Sequence, residues 1–183
     1  MKKQSLMTLV ITVLSITGLF AQKPVTVGGA AMYPTKNIIE NAVNSKDHTT
    51  LVAAVKAAGL VETLQGAGPF TVFAPTNAAF NKLPAGTVET LLKPENKAML
   101  SGVLTYHVVS GKYDSKALAA LIKKGDGKAE LTTVAGGKIW VSMEGMNIVI
   151  TDEKGGTSTV TIKDVNQSNG VIHVVNTVLM PGM

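Results

Sequence analysis

Three histidines are the side chains of this sequence best suited to acid–base or metal chemistry. They are His48, His107 and His173, and none of them belongs to an HExxH motif or stands close to another histidine. His107 follows Tyr106 in an apolar run without a neighbouring carboxylate, so its candidate roles are general base, metal ligand and buried structural residue. The apolar setting favours the structural role, in which the imidazole bonds within the core. The same interpretation applies to His173.

Nucleophilic catalysis would require an activated serine, and no serine stands in a G-x-S-x-G elbow. Ser110 lies three residues from His107 and close to Asp114, but side chains that alternate along a strand diverge and form no triad. The acidic pair Asp152 and Glu153 stands in a predicted turn and is expected to solvate the surface. We therefore predict a protein that is not an enzyme, with no cofactor and no metal site.

The composition restricts the partners and the redox chemistry of the chain. There is no cysteine, which excludes disulfides and a thiol nucleophile. All 17 basic residues are lysines, and arginine is the residue preferred for bidentate contacts with phosphate and guanine. We therefore expect no nucleic-acid partner, and we expect the lysines to form a solvated surface.

The N-terminus has the layout of a secretory signal peptide. Two lysines precede an apolar stretch over residues 6–20, and Ala21 provides a small residue for cleavage. The stretch is shorter than the roughly 20 residues that a spanning helix needs, so no transmembrane segment is expected in the mature chain. We predict a signal peptide over residues 1–21, a flexible leader over 22–33 and a single domain over 34–183. The protein would be periplasmic, attached to the cell surface or extracellular.

The segment that must position these side chains most firmly is residues 71–80, TVFAPTNAAF. Val72 and Phe73 suit a strand, Pro75 ends its hydrogen-bond ladder, and Thr76 can cap the helix that follows. Nothing in this stretch is suited to catalysis. It is typical of a structural corner.

Two further segments accompany this corner. The first is the pair Tyr106 and His107, placed in a predicted strand over residues 103–109, and the second is residues 170–181, GVIHVVNTVLMP. In this order and spacing the three segments resemble the fasciclin domain family, over about residues 34–181. The chain departs from the family at Asn77 and Asn176, where aspartate is common, and both asparagines keep an acceptor while losing a charge. The motif residues are Thr71, Phe73, Pro75, Thr76, Asn77, Phe80, Gly170, His173, Asn176 and Pro181.

The periodicity predicts an α+β fold, because helices fill the first two thirds of the chain and consecutive strands follow from Leu131. Thr35 is expected to cap the first helix, and Gly59 to end a second helix that begins at Thr49. The resemblance implies a compact antiparallel β-sandwich or wedge with several short helices packed along one side. We expect residues 171–177 to form a central strand beside residues 71–73.

The resemblance also implies a function. It suggests a secreted or periplasmic, non-catalytic binding module in cell adhesion, whose partner is a cell-surface or matrix protein or a polysaccharide. In fasciclin domains the tyrosine–histidine region is linked to receptor binding, which makes Tyr106 and His107 candidate binding residues, with core packing as the alternative. An alternative function is carriage of a small apolar ligand, such as a lipid or pigment, in a groove. Candidate methionines for its lining are Met99, Met143, Met146 and Met180.

Overall fold

The computed structural model describes residues 23–182, and the predicted signal peptide lies outside them. The α-helices in this range are α1 Ile38–Ala42, α2 Thr49–Ala58, α3 Val61–Gln65, α4 Asn77–Phe80, α5 Thr87–Leu91, α6 Lys97–Tyr106 and α7 Ser115–Lys124. The strands are β1 Val25–Val27, β2 Ala30–Met32, β3 Phe70–Pro75, β4 Val108–Ser110, β5 Lys128–Thr132, β6 Lys138–Glu144, β7 Asn147–Thr151, β8 Thr157–Gln167 and β9 Gly170–Val175. The predicted α+β class is confirmed.

The helix ends follow local chemistry. Gly59 ends α2 with a left-handed φ of 72°, and the Thr76 hydroxyl accepts the Ala79 N–H at the start of α4, both as predicted. The predicted cap of the first helix is wrong by two residues. Asn37, and not Thr35, begins α1 in a capping box with Glu40, because only Asn37 has its side chain beside the free Glu40 N–H.

Strands β3 to β9 form one seven-stranded sheet in the order β4, β3, β9, β8, β7, β6, β5. Strand β9 lies between β3 and β8, which confirms the predicted neighbour of the closing strand. All pairs are antiparallel except β3 with β9, which run parallel. The sheet also curls back on itself, since Thr133 bridges to Val109 and the Val134 N–H donates to Val108 O at 2.7 Å.

Two hydrophobic clusters lie on opposite faces of the curled sheet. Helices α1 to α6 pack mainly against one face, whereas α7 contributes Leu118 and Ile122 to the other. The central strands contribute side chains to both clusters. Val72 packs in the cluster with α1 to α6, the helical core cluster, and Phe73 packs in the cluster with α7. All six residues of β9 are therefore buried, and the alternation of a half-exposed strand disappears there.

The N-terminal segment differs from the predicted flexible leader. Residues 25–32 form a β1–β2 hairpin, in which Val27 and Met32 are each 1% exposed and join the helical core cluster. The Lys46 N–H donates to Gly28 O at 3.1 Å and fastens the hairpin turn to the domain. The hairpin therefore packs on the domain that was predicted to begin at residue 34. Small and β-branched residues without a helical period suit a flexible segment and a hairpin equally well.

The predicted strand over residues 103–109 is also wrong in its first half. Residues 97–106 form helix α6, which buries Leu100, Val103 and Leu104 at helical spacing, and His107 ends it. Only Val108–Ser110 pair as strand β4. An unbroken apolar run does not distinguish a buried strand from a buried helix.

Candidate functional site

The three signature segments meet at one corner of the sheet. The Phe73 N–H donates to His107 O at 2.9 Å, which ties the first segment to the second. The Leu179 N–H donates to His107 Nε2 at 2.9 Å, which ties the second segment to the third. Strand β3 also pairs with β9 along its whole length, from Phe70 with Gly170 to Pro75 with Val175. The sequence motifs thus mark one structural junction.

His107 is the central side chain of this corner. It is 2% exposed, its Nδ1 lies 2.8 Å from Val103 O, and its Nε2 accepts the Leu179 N–H. These partners require a neutral ring with the proton on Nδ1. Burial is the main reason that the pKa of His107 is lowered to about 4. The ring bonds the third segment and not the first, which it contacts only through its backbone.

His173 holds the opposite side of the same junction. It is fully buried, and its ring lies 5.8 Å from that of Phe73 in a stacked arrangement. Its Nε2 donates to Tyr113 O at 2.8 Å, and burial lowers its pKa. This geometry supports the structural role that the sequence favoured.

Tyr106 is also fully buried. Its hydroxyl donates to Lys138 O at 2.6 Å and accepts the Glu153 N–H at 3.1 Å. Its ring packs against Gly137, where a Cβ would lie 2.8 Å from the ring. Burial raises the pKa of the Tyr106 phenol. The binding role of Tyr106 and His107 stays a prediction, and their burial supports the packing alternative.

Other motif residues stabilise the corner through side-chain hydrogen bonds and close packing. The Thr71 hydroxyl donates to Gly111 O at 2.7 Å and accepts the Tyr113 N–H at 2.8 Å. Phe80 is buried in the helical core cluster. Gly170 stands where any side chain would collide with the carbonyl of Phe70, so only glycine fits.

The two asparagines that depart from the family use their side chains differently. Asn77 accepts the Thr50 N–H at 3.0 Å and donates to Lys46 O at 2.9 Å, so it needs both ends of its amide. Asn176 accepts the Thr159 N–H at 2.9 Å and the Thr177 hydroxyl at 3.2 Å. A carboxylate could make both contacts of Asn176, but it could not replace the donor of Asn77.

Asp152 corrects a sequence prediction. It is 4% exposed instead of solvated, and it accepts the N–H groups of Lys154, Gly156 and Met180 at 2.7–3.0 Å. Glu153 accepts the Gly182 N–H at 2.7 Å. The closing segment, residues 176–182, follows the end of β9, and the side chains of His107, Asp152 and Glu153 hold it in place. The signal for this role was local, because an aspartate in a turn often accepts the N–H two residues further along the chain, here that of Lys154.

The residues tested for catalysis do not assemble. Asp114 caps α7 by accepting the Ala117 N–H at 2.8 Å, Ser110 is exposed, and the His107 ring is fully engaged elsewhere. Within residues 23–182, no group of three or more acidic or histidine side chains is arranged to hold a metal ion. None of the helices in the same range is long and apolar enough to cross a membrane.

An apolar groove of about 290 Å³ lies between α5, α6 and the closing segment. Met99 and Met180 line it as anticipated, whereas Met143 and Met146 lie on the β6–β7 hairpin and contribute nothing to it. The remaining lining residues are Thr87, Leu91, Ala98, Gly102, Val103 and Pro181.

The fold and the corner define a class of protein: an α+β domain whose signature segments interlock as a structural junction. The fasciclin domain family model matches residues 46–181, and the chain belongs to that family. The predicted family and fold are thereby confirmed. The family is known for cell adhesion and surface proteins.

Relatives of known sequence and structure agree with this assignment. The chain is 46% identical to protein sll1483 of Synechocystis over 88% of its length and 83% of that protein. It is 34% identical to the cell surface glycolipoprotein MPB83 of Mycobacterium bovis, over 88% of the chain and 68% of that protein. A FAS1 domain pair from the insect cell adhesion molecule fasciclin I shares the fold, with a TM-score of 0.71 and 20% identity over 81% of this chain and 52% of that one.

Proposed function

We propose that this protein is an exported, non-catalytic binding module that acts in cell adhesion at the cell surface or in the extracellular matrix. The observation that carries the proposal is that two of the three histidines are fully used inside the fold. His107 and His173 each engage both ring nitrogens with the protein itself. A partner would therefore bind to the surface of the domain.

The names of the relatives also support a role in adhesion at the cell surface. MPB83 is named as a cell surface glycolipoprotein, and the structural neighbour comes from a cell adhesion molecule. The signal peptide predicted over residues 1–21 would deliver this chain to the same environment. The absence of cysteine suits a domain that relies on its two core clusters and not on disulfides.

The test is an adhesion assay on the native host. Surfaces coated with purified mature protein should retain more host cells than surfaces coated with a protein of similar charge, and a strain lacking the gene should adhere less than its parent. Restoring the gene should restore adhesion. Equal adhesion of deletion and parent strains, together with no retention on coated surfaces, would contradict the proposal.

A second candidate function is carriage of a small apolar ligand, and the groove beside Met99 and Met180 favours it. Its volume of about 290 Å³ lies at the lower end of small-molecule sites. The apolar cavity between α1, α2 and His107 measures only about 40 Å³, which leaves room for little more than water. A carried ligand would therefore lie in the groove and not in the core.

Mass spectrometry under native conditions distinguishes this candidate. Protein purified from its host should carry an extractable lipid or pigment, and Gly102→Leu should reduce the bound fraction because the space above Gly102 is open. Met146→Ala is the matched control, since Met146 is 88% exposed on a distant hairpin. Repeated recovery of ligand-free native protein would exclude the carrier function.

A further inference from the structure

The outer face of strands β5 to β8 is a polar surface with one aromatic residue. Along these strands the inward side chains, such as Ile139 and Val141, are fully buried in the core cluster shared with α7. The side chains between them point to the opposite face. We call this face the Trp140 platform; its polar and aromatic residues are Lys128, Glu130, Thr132, Lys138, Trp140, Ser142, Thr151, Thr157 and Thr159. Val149, which pairs with Ser142 and Thr159, lies on the same face as a buried apolar residue.

Trp140 is the only tryptophan of the chain, and it is partly exposed. It pairs with Glu130 on β5 and with Thr151 on β7, so hydroxyl and charged groups flank it on both sides. The Lys128 ammonium lies 5.2 Å from its ring centroid, and Glu130 forms an ion pair with Lys138 at 2.9 Å. A flat aromatic ring is thus surrounded by hydrogen-bonding groups.

We propose that the Trp140 platform binds a polysaccharide chain, with one pyranose ring stacked on the Trp140 indole. The negative face of an aromatic ring attracts the polarised C–H groups on the face of a sugar. Glu130 accepts hydrogen bonds from sugar hydroxyls, and Lys128 and Lys138 donate to sugar oxygens. Lys128 is exposed, so its ammonium can leave the ring and bond to the ligand instead. This inference rests on the proposed adhesion function and names its partner class.

The charges of the platform favour a polyhydroxylated partner over other macromolecules. Two lysines and one glutamate leave it only weakly positive, which does not suit a polyanion such as nucleic acid. Threonine and serine occupy most of the remaining positions, whereas the centre of a protein–protein interface is usually more apolar. Helices α1 to α6 pack mainly in the helical core cluster around β3 and β9. The platform side chains of β5 and the side chain of Thr157 are exposed.

The single tryptophan allows a direct measurement. Purified mature protein is titrated with three uncharged oligosaccharides, cellohexaose, chitohexaose and mannohexaose, and both Trp140 fluorescence and calorimetric heat are followed. We expect a saturable change in emission with at least one of these sugars. Trp140→Ala should weaken calorimetric binding by about tenfold, the loss of one stacking contact. Trp140→Phe, which keeps a smaller ring, should lose less.

Two further variants separate binding from folding. Glu130→Gln keeps the size of the side chain and should weaken binding several-fold, with an unchanged melting temperature. Met146→Ala, at the tip of the β6–β7 hairpin, should bind like the native protein. If Trp140→Ala does not fold, Trp140→Phe and Glu130→Gln still test the site. Equal sugar affinity of the native protein and both of these variants would overturn the proposal.

The outcome is separable from that of the adhesion function. If the native protein retains host cells but binds none of the three sugars, the platform proposal fails and adhesion stands. If it binds a sugar through Trp140 but retains no cells, the platform stands and adhesion fails. If Trp140→Ala retains host cells as well as the native protein does, adhesion uses another surface and the polysaccharide is not its partner.

Discussion

His107 and Leu179 are joined by a hydrogen bond between positions 72 residues apart, in which the Leu179 N–H donates to His107 Nε2 at 2.9 Å. The other ring nitrogen faces Val103 O, so one imidazole connects the end of α6 to the closing segment. Both bonds are made by the neutral ring alone with its proton on Nδ1. Stability and pH dependence are therefore linked at this position.

Replacing His107 with alanine should destabilise the domain. The change leaves the buried Leu179 N–H without its acceptor, which costs about 1–3 kcal/mol, and it adds a cavity. His107→Gln should lose less, because its carbonyl oxygen can accept the same N–H. Urea unfolding followed by circular dichroism measures both variants. An alanine variant as stable as the native protein would refute the structural role of His107.

The stability of the native protein should fall as pH drops from about 6.5 towards 4. In this range the unfolded chain takes up a proton at His107, whereas the folded protein, with a His107 pKa of about 4, does not. The shift from the ordinary value corresponds to a loss of about 3 kcal/mol once the pH is below both values.

Urea unfolding over a pH series checks this dependence, with His107→Gln as the control. In the variant, the free energy of unfolding should depend less steeply on pH, because the contribution of His107 is gone. The contributions of His48 and His173, whose pKa values are also lowered by burial, should remain. Identical slopes for the two proteins would mean that His107 is protonated in the folded state as readily as in the unfolded chain.

The regular parts of this fold could be predicted because local chemistry determines them. The Gly59 stop of α2, the Thr76 cap of α4 and the position of β9 beside β3 all agree with the sequence analysis. Helix α6 could not be assigned, because residues 103–106 belong to an apolar run that suits either structure. Only its packing against α2 and β4 decides the outcome.

The candidate sites were less predictable for a physical reason. The Lys138 carbonyl that binds Tyr106 and the Leu179 N–H that binds His107 lie 32 and 72 residues further along the chain, so no local pattern reveals these contacts. Asp152 has a local turn signal, but its bond to the Met180 N–H depends on the position of a segment 28 residues further along the chain. The Trp140 platform likewise depends on the register of four strands and not on a motif.

Asn176 should tolerate aspartate and not alanine. Its side-chain oxygen accepts the Thr159 N–H and the Thr177 hydroxyl, contacts that a carboxylate makes at least as strongly. Asn176→Ala should cost about 1–3 kcal/mol, since it leaves the Thr159 N–H unpaired. Asn176→Asp should match or exceed native stability in urea unfolding at pH 7. A strongly destabilised aspartate variant would contradict the acceptor-only role.

The β1–β2 hairpin should contribute to global stability although it precedes the matched family region. Met32 is 1% exposed in the helical core cluster, and truncating such a side chain to alanine costs about 2–5 kcal/mol. Tyr33→Ala is the matched control, because the neighbouring Tyr33 is 45% exposed and bonds Asn41 only through its backbone.

Urea unfolding of the two variants distinguishes a packed hairpin from a flexible leader. For a packed hairpin we expect a large loss of stability in Met32→Ala and a small one in Tyr33→Ala, with hydrogen exchange at the Lys46 N–H accelerated in the former because this group donates to Gly28 O. A flexible leader would leave both variants as stable as the native protein. The hairpin would then be dispensable, and the domain would begin close to residue 34, as the sequence alone indicated.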